Sequence, residues 1–142
     1  MNTVKQIIQE HGGLAALRAD YIRIENPPYE RLVIEALGPG PRGMNQVSVA
    51  HYGEQNGDAM RDPEVVFEVS ENTGGWSPVY YRNDYLGIEH ELIFRDSDTG
   101  RIMMRPKLME SMYDFLPTWD MNIREQGFLK AFKNQRRQPE LV

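Results

Sequence analysis

The spacing of hydrophobic residues changes twice along the chain. Apolar residues recur every three or four positions from Val4 to Leu17, with a break at Gly12-Gly13, which predicts a short amphipathic helix and one further turn. Between about residues 20 and 105 they alternate with polar residues, as in half-buried strands. After Pro106 the helical spacing returns and predicts a helix over residues 107–116.

The alternating region predicts a sheet. We expect strands at residues 21–25, 29–37, 46–52, 64–71, 76–82, 88–95 and 102–105. Residues 53–63 have no period and are expected to form a long loop. Since turns rather than helices separate the strands, the predicted fold class is α+β: a mostly antiparallel sheet of about six or seven strands, with N- and C-terminal helices packed on one face.

The chain length fits one domain. We assign residues 1–133 to a single α+β domain and residues 134–142 to a flexible tail. Pro117 is expected to kink or split the last helix, and Gly127 to end it. Charged residues interrupt every apolar stretch near the N-terminus, so we expect no signal peptide, no membrane span and a cytoplasmic location.

Composition and motifs exclude several kinds of chemistry. The chain has 142 residues, a formal net charge of −5 and no cysteine, so disulfides, thiolate zinc sites and a cysteine nucleophile are ruled out. It contains no P-loop, Gly-x-Ser-x-Gly elbow, His-Glu-x-x-His helix or dinucleotide fingerprint. Arg101 and Lys107 occupy the Gly and Glu positions that an EF-hand starting at Asp96 would need. We therefore predict no cofactor, no catalytic residue and no metal ligand.

One group of residues keeps an alternative open. His51 ends a predicted strand just before the expected loop, which carries Glu54, Asp58 and Asp62. Carboxylates beside an imidazole can hold a divalent cation or exchange protons with a substrate. The same side chains can equally be solvated loop charges.

Charge is unevenly distributed. Residues 54–100 contain eleven acidic residues and three arginines, a local net charge of −8. Outward positions of consecutive strands can form an acidic face that attracts a basic protein. Alternation places Glu89 and Glu91 on such a face. The residues predicted to bind a partner are Asp58, Asp62, Tyr81, Glu89 and Glu91.

The opposite charge lies near the C-terminus. Basic residues here are Lys130, Lys133, Arg136 and Arg137. They support an alternative hypothesis, a nucleic-acid-binding accessory protein, although we do not expect four cations to outweigh the acidic region.

Three stretches carry a family resemblance. They are Gly-Asp-x-Met-x-Asp-Pro at residues 57–63, residues 76–87 and residues 119–128. Over roughly residues 44–130 the chain resembles a family of small proteins of unknown function carried on conjugative elements, plasmids and phages. The resemblance implies a mobile-element setting, in which small acidic proteins often counter host defences or regulate transfer.

Three functional hypotheses follow. The first is a non-enzymatic binding protein of a mobile element that inhibits a host defence system of the kind targeted by anti-CRISPR or anti-restriction proteins. Its partner would be a protein with a basic surface, such as a host defence nuclease. The second is a small metal-binding enzyme that uses residues 51–62. The third is nucleic-acid binding through the basic C-terminal residues.

Overall fold

The computed structural model describes residues 1–137, which form four helices and eight strands. The helices are α1 (Asn2–His11), α2 (Leu14–Ala19), α3 (Pro106–Glu125) and α4 (Phe128–Arg137). The strands are β1 (Ile22–Asn26), β2 (Tyr29–Pro39), β3 (Asn45–Gln55), β4 (Asp58–Val69), β5 (Trp76–Asn83), β6 (Ile88–Glu91), β7 (Ile93–Arg95) and β8 (Ile102–Met104).

The strands form an antiparallel meander. Strands β1 to β6 pair in sequential order, and β7 and β8 form a separate two-stranded hairpin. The α+β prediction, with terminal helices and an antiparallel sheet, is confirmed. The strand expected at residues 88–95 is divided at Leu92, whose N–H donates to Val79 O and whose carbonyl accepts from Arg105 N. The chain leaves the large sheet at this point.

The prediction of a long loop at residues 53–63 is wrong. Strands β3 and β4 continue to a two-residue turn, with Gln55 paired to Asp58 across it. Asn56 has φ 54° and Gly57 has φ 85°. Positive φ at both central positions is the geometry of the tight hairpin turn that Asn-Gly favours. The loop is therefore the end of a long hairpin.

The last helices also differ from expectation. Helix α3 runs through Pro117 without splitting. Pro117 lies on the exposed side, where water can bond the carbonyl group that proline leaves free, while Met112 and Leu116 hold the other side in the core. Gly127, at φ 89°, separates α3 from α4 as expected. Of the expected flexible tail, residues 134–137 belong to α4 and residues 138–142 lie outside the described part.

Helices and sheet share one hydrophobic core, and a buried carboxylate on α3 connects that helix to α1. Asp120 of α3 accepts hydrogen bonds from the backbone N–H groups of Thr3 at 3.0 Å and Val4 at 3.3 Å. These donors, in the first turn of α1, have no partner within their own helix. Asp120 thus caps α1 from a distance of more than a hundred residues. Within residues 1–137, no helix is long and apolar enough to cross a membrane.

A second buried carboxylate holds the loop between β2 and β3. Glu68 is 1% exposed, and its carboxylate accepts hydrogen bonds from Arg42 N at 3.0 Å, Met44 N at 3.1 Å and Arg42 Nε at 2.8 Å. The loop at residues 38–43 contains two prolines, which have no backbone N–H. Two of the N–H groups in or next to this loop, those of Arg42 and Met44, donate to Glu68. Glu68 therefore fixes the path of this loop.

Replacing Glu68 should destabilise the fold. Glu68→Ala leaves the Arg42 guanidinium and two amides without their acceptor, and should lower the free energy of unfolding by about 3 kcal/mol. The measurement is urea unfolding followed by circular dichroism. The control is Glu71→Ala, which removes an exposed ion pair with Arg18 and should cost less than about 1 kcal/mol. Equal effects of the two substitutions would contradict the structural role of Glu68.

Candidate functional site

An open cleft lies where the β1–β2 turn, the bulged part of β3–β4 and the second half of α3 meet. Its volume is about 390 Å³. The residues that line it are Pro28, Tyr29, Glu30, His51, Asp62, Pro63, Phe115, Trp119, Asn122 and Gln126. The lining contains two carboxyl groups, one imidazole and three larger aromatic rings, and it includes no lysine or arginine.

The two carboxyl groups, those of Glu30 and Asp62, lie close enough for a hydrogen bond between their side chains to contribute to a raised pKa of Glu30. Asp62 also accepts a hydrogen bond from Asn83 Nδ2 at 3.1 Å, and the Asn83 side chain is itself buried. Gly53 makes room for the pair, since a Cβ at this position would collide with Glu30 Oε2 and Tyr85 Oη. The carboxyl groups are held from several strands at once.

Proximity changes the acidity of the pair. Desolvation raises the pKa of Glu30 to about 7, and the hydrogen bond and negative charge of Asp62 act in the same direction. Two carboxylates this close cannot both be charged at low cost, so below about pH 7 Glu30 is protonated and can donate a hydrogen bond to Asp62. Desolvation and the charges of Glu30 and Asp62 also raise the pKa of Tyr85. Near neutral pH the pair can release or take up one proton.

His51 forms the floor of the cleft. It is 7% exposed, and its ring centroid lies 5.9 Å from that of Trp119 and 5.3 Å from that of Phe128. Burial lowers the pKa of His51, against a smaller opposing effect of the Glu30 carbonyl, so the imidazole is neutral at pH 7. Its Nδ1 lies 3.2 Å from Glu30 O, which can only accept, so Nδ1 carries the proton and Nε2 is left as an acceptor.

Trp119 carries a buried hydrogen-bond donor without a partner within residues 1–137. The residue is 5% exposed and stacks on Phe115 with ring centroids 5.6 Å apart. Its Nε1 is buried and has no hydrogen-bond partner among the described residues. A buried N–H without an acceptor is costly and uncommon in folded proteins. The stacked rings of Phe115 and Trp119 therefore form one wall of the cleft.

The structure brings together only part of the residue set predicted around His51. Asp62 lies in the cleft with His51, because a bulge in β4 places Asp62 and Pro63 against that position. Glu54 and Asp58 are exposed near the hairpin turn and do not line the cleft. Across residues 1–137 no three His, Asp or Glu side chains are arranged to hold a metal ion.

Several residues that line the cleft are not predicted from the sequence pattern. The pattern places Glu30 only in a strand and does not link Trp119 to His51. The available signal was the Asn56-Gly57 pair, which predicts a hairpin and would have placed Asp62 close to His51 across β3–β4. Nothing in the sequence indicates that Glu30 joins them.

The residues predicted to bind a partner lie on different surfaces. Tyr81 faces the helices, packed edge-on against Phe115 and stacked with His90. Glu89 and Glu91 are exposed on the opposite face of the sheet, paired with Arg82 and Tyr80 across β5–β6. Tyr80 Oη donates to Glu89 Oε1 at 2.6 Å. Asp58 and Asp62 lie on β4, at the turn and in the cleft.

The basic residues near the C-terminus lie on α4, and two of the four contact α1. Lys133 Nζ is 3.9 Å from a Glu10 carboxylate oxygen, and Arg136 donates to the Glu10 carbonyl at 2.8 Å. Arg136 also covers the Phe132 ring. Lys130 and Arg137 are exposed.

The fold and the cleft define a small α+β protein with an acidic, aromatic-walled site. The chain belongs to the family described as Domain of unknown function (DUF6908), whose model matches residues 2–129. The match reaches further towards the N-terminus than the resemblance seen from residues 44–130 alone. No curated protein and no solved structure matches the chain.

The raised pKa of Glu30 should make stability depend on pH. The folded protein holds a proton on Glu30 up to about pH 7, whereas an unfolded chain loses it near pH 4.5. The contribution is complete below pH 4.5 and is lost as the pH rises through 7. Relative to Glu30→Gln, which cannot ionise, the wild type should therefore lose stability between pH 5 and 8.

Urea unfolding at several pH values tests this. The difference in unfolding free energy between wild type and Glu30→Gln should change across that range. Glu54→Gln, which makes the same change at an exposed position outside the cleft, is the matched control. A flat Glu30 difference would show that the two carboxyl groups are not coupled.

Proposed function

We propose that the protein binds a small organic cation, with an amidinium, guanidinium or ammonium group next to a flat apolar part, in the cleft. The observation that carries this proposal is the Glu30–Asp62 carboxyl pair in an aromatic-walled cleft whose lining has no cationic side chain. A bound cation replaces the shared proton and leaves both carboxylates charged. Phe115 and Trp119 can hold the flat part, and aromatic faces attract cations.

The chemistry of the pair also predicts proton release. Around pH 7 Glu30 is partly protonated, and an approaching positive charge lowers its pKa. Binding should therefore expel part of a proton into solution at neutral pH.

Tryptophan fluorescence tests the proposal with defined probes. The chain has two tryptophans, so Trp76→Phe leaves Trp119 as the single reporter. Benzamidine, a flat cation, should change its emission with saturation, whereas the neutral isostere benzamide should not. Asp62→Asn in this background should weaken benzamidine binding about tenfold, since one charge-assisted hydrogen bond is lost.

A matched variant separates the site from general charge effects. Asp58→Asn makes the same change on the same strand, but at the exposed turn, and should leave binding unchanged. Calorimetry in buffers of different ionisation enthalpy should show proton release at pH 7 that disappears in Glu30→Gln. Equal binding of benzamide, or an unaffected Asp62→Asn, would contradict a cation site.

A second candidate function is recognition of a basic protein through Glu89 and Glu91. Both side chains are exposed on the sheet face opposite the helices, and neither forms an ion pair within residues 1–137. The family resemblance supports a finer form of this proposal: a mobile-element protein that inhibits a host defence nuclease. Such nucleases carry basic surfaces for nucleic acid, to which an acidic face is complementary.

Charge reversal tests the second candidate. Glu89→Lys with Glu91→Lys should abolish capture of basic proteins from a host lysate, and capture by the wild type should weaken with salt. The control is Glu110→Lys with Asp114→Lys, which makes the same charge change on the exposed side of α3. If both double variants lose the same proteins, only net charge matters and Glu89 and Glu91 are not a specific site.

A further inference from the structure

Strand β8 exposes three consecutive apolar side chains. Ile102, Met103 and Met104 are 41%, 42% and 55% exposed. Such a run is unusual on the surface of a folded protein unless the residues have a binding role. Methionine in particular adapts its shape to varied partners.

The backbone of β8 is also available. The hairpin begins and ends with hydrogen bonds from Asp96 N to Arg101 O at 2.8 Å and from Arg105 N to Leu92 O at 3.0 Å. Bonded and non-bonded pairs alternate in an antiparallel ladder, so Phe94 and Met103 form the bonded pair between them. The N–H and C=O groups of Ile102 and Met104 consequently point away from β7, at the open edge of the hairpin.

The hairpin is anchored to the rest of the protein. Ile93 is buried, and Arg95 donates to Gly100 O at 2.8 Å within the hairpin and to Pro41 O at 3.2 Å in the β2–β3 loop. The Arg105 guanidinium lies over the Phe94 ring, 4.9 Å from its centroid. An edge held in this way is preorganised for a partner strand.

The charge around β8 is opposite to that of the whole protein. Residues 95–107 hold four cations and two acids, whereas the chain has a net charge of −5. Arg101 and Lys107 flank the apolar run, are exposed and form no ion pair within the described residues. These cations favour an acidic partner.

We propose that β8 binds an extended, acidic segment of another protein by strand addition. The partner strand pairs with the open backbone groups of Ile102 and Met104, its apolar side chains cover the exposed ones of β8, and its acidic residues meet Arg101 and Lys107. A second copy of this chain fits poorly. Antiparallel self-pairing centred on Met103 sets Arg101 opposite Arg105 of the other copy, and like charges directly opposite are destabilising.

Nuclear magnetic resonance with a model peptide tests this proposal. The probe is acetyl-Glu-Val-Thr-Val-Glu-amide, titrated into the ¹⁵N-labelled full chain at millimolar concentration. The amide signals of Ile102 and Met104 should shift with saturation. Acetyl-Lys-Val-Thr-Val-Lys-amide should produce no such shift. Arg101→Glu combined with Lys107→Glu should weaken binding of the acidic peptide about tenfold.

Proline separates strand addition from simple charge attraction. Ile102→Pro removes an outward N–H while keeping the bonds inside the hairpin, so it should fold and lose the peptide-induced shift at Met104. Ile102→Val keeps the N–H and should bind as the wild type does. Equal shifts with the basic peptide, an unaffected Ile102→Pro, or no shift at all would overturn the proposal. So would broadening of the β8 amides with protein concentration alone, which would identify a second copy as the occupant.

Discussion

The pairing of β3 with β4 is the constraint on which the cleft depends. The Asn56-Gly57 turn sets the register, so that Val49 faces Val65 in the core. Between the Val49–Val65 pair and the turn, a β-bulge places two residues, Asp62 and Pro63, opposite His51. A slip of one residue would move every side chain to the other face and separate Asp62 from His51. The position of Asp62 in the cleft therefore follows from the register of one hairpin.

Much of the fold could be predicted because apolar and polar residues alternate along the strands and turns separate them. In β1 the buried positions follow this alternation, whereas in β3 and β4 runs of five consecutive residues are buried on both faces. The end of the β3–β4 hairpin is exposed around Gln55 and Asp58, so no core imposes a period there. Hydrophobic spacing indicated a loop, and only the turn chemistry of Asn56-Gly57 contradicted it. Similarly, Pro117 suggests a break in the last helix, but the proline lies on the exposed face of α3, where a continuous helix tolerates it.

The cleft could be predicted only in part, for a different reason. His51 and Asp62 are close in sequence and were grouped together, although with the wrong companions, Glu54 and Asp58. Glu30 is brought to them by β2–β3 pairing, where Leu32 faces His51. Trp119 arrives from a helix almost seventy residues further along the chain. Trp119 lies in the core, but the missing acceptor for its N–H depends on packing that no periodicity encodes.

The partners of the protein's carboxylates distinguish the structural residues from the candidate site. Asp120 accepts two backbone N–H groups of α1, and Glu68 accepts two backbone N–H groups and a guanidinium. These charges have fixed donors and therefore hold the fold together. Asp62 accepts from the Asn83 side chain, and its negative charge helps to raise the pKa of Glu30 to about 7. Among the described residues no lysine or arginine lines the cleft around this pair, so its charge has no fixed cationic partner there, and this is the basis for proposing a cation as the ligand.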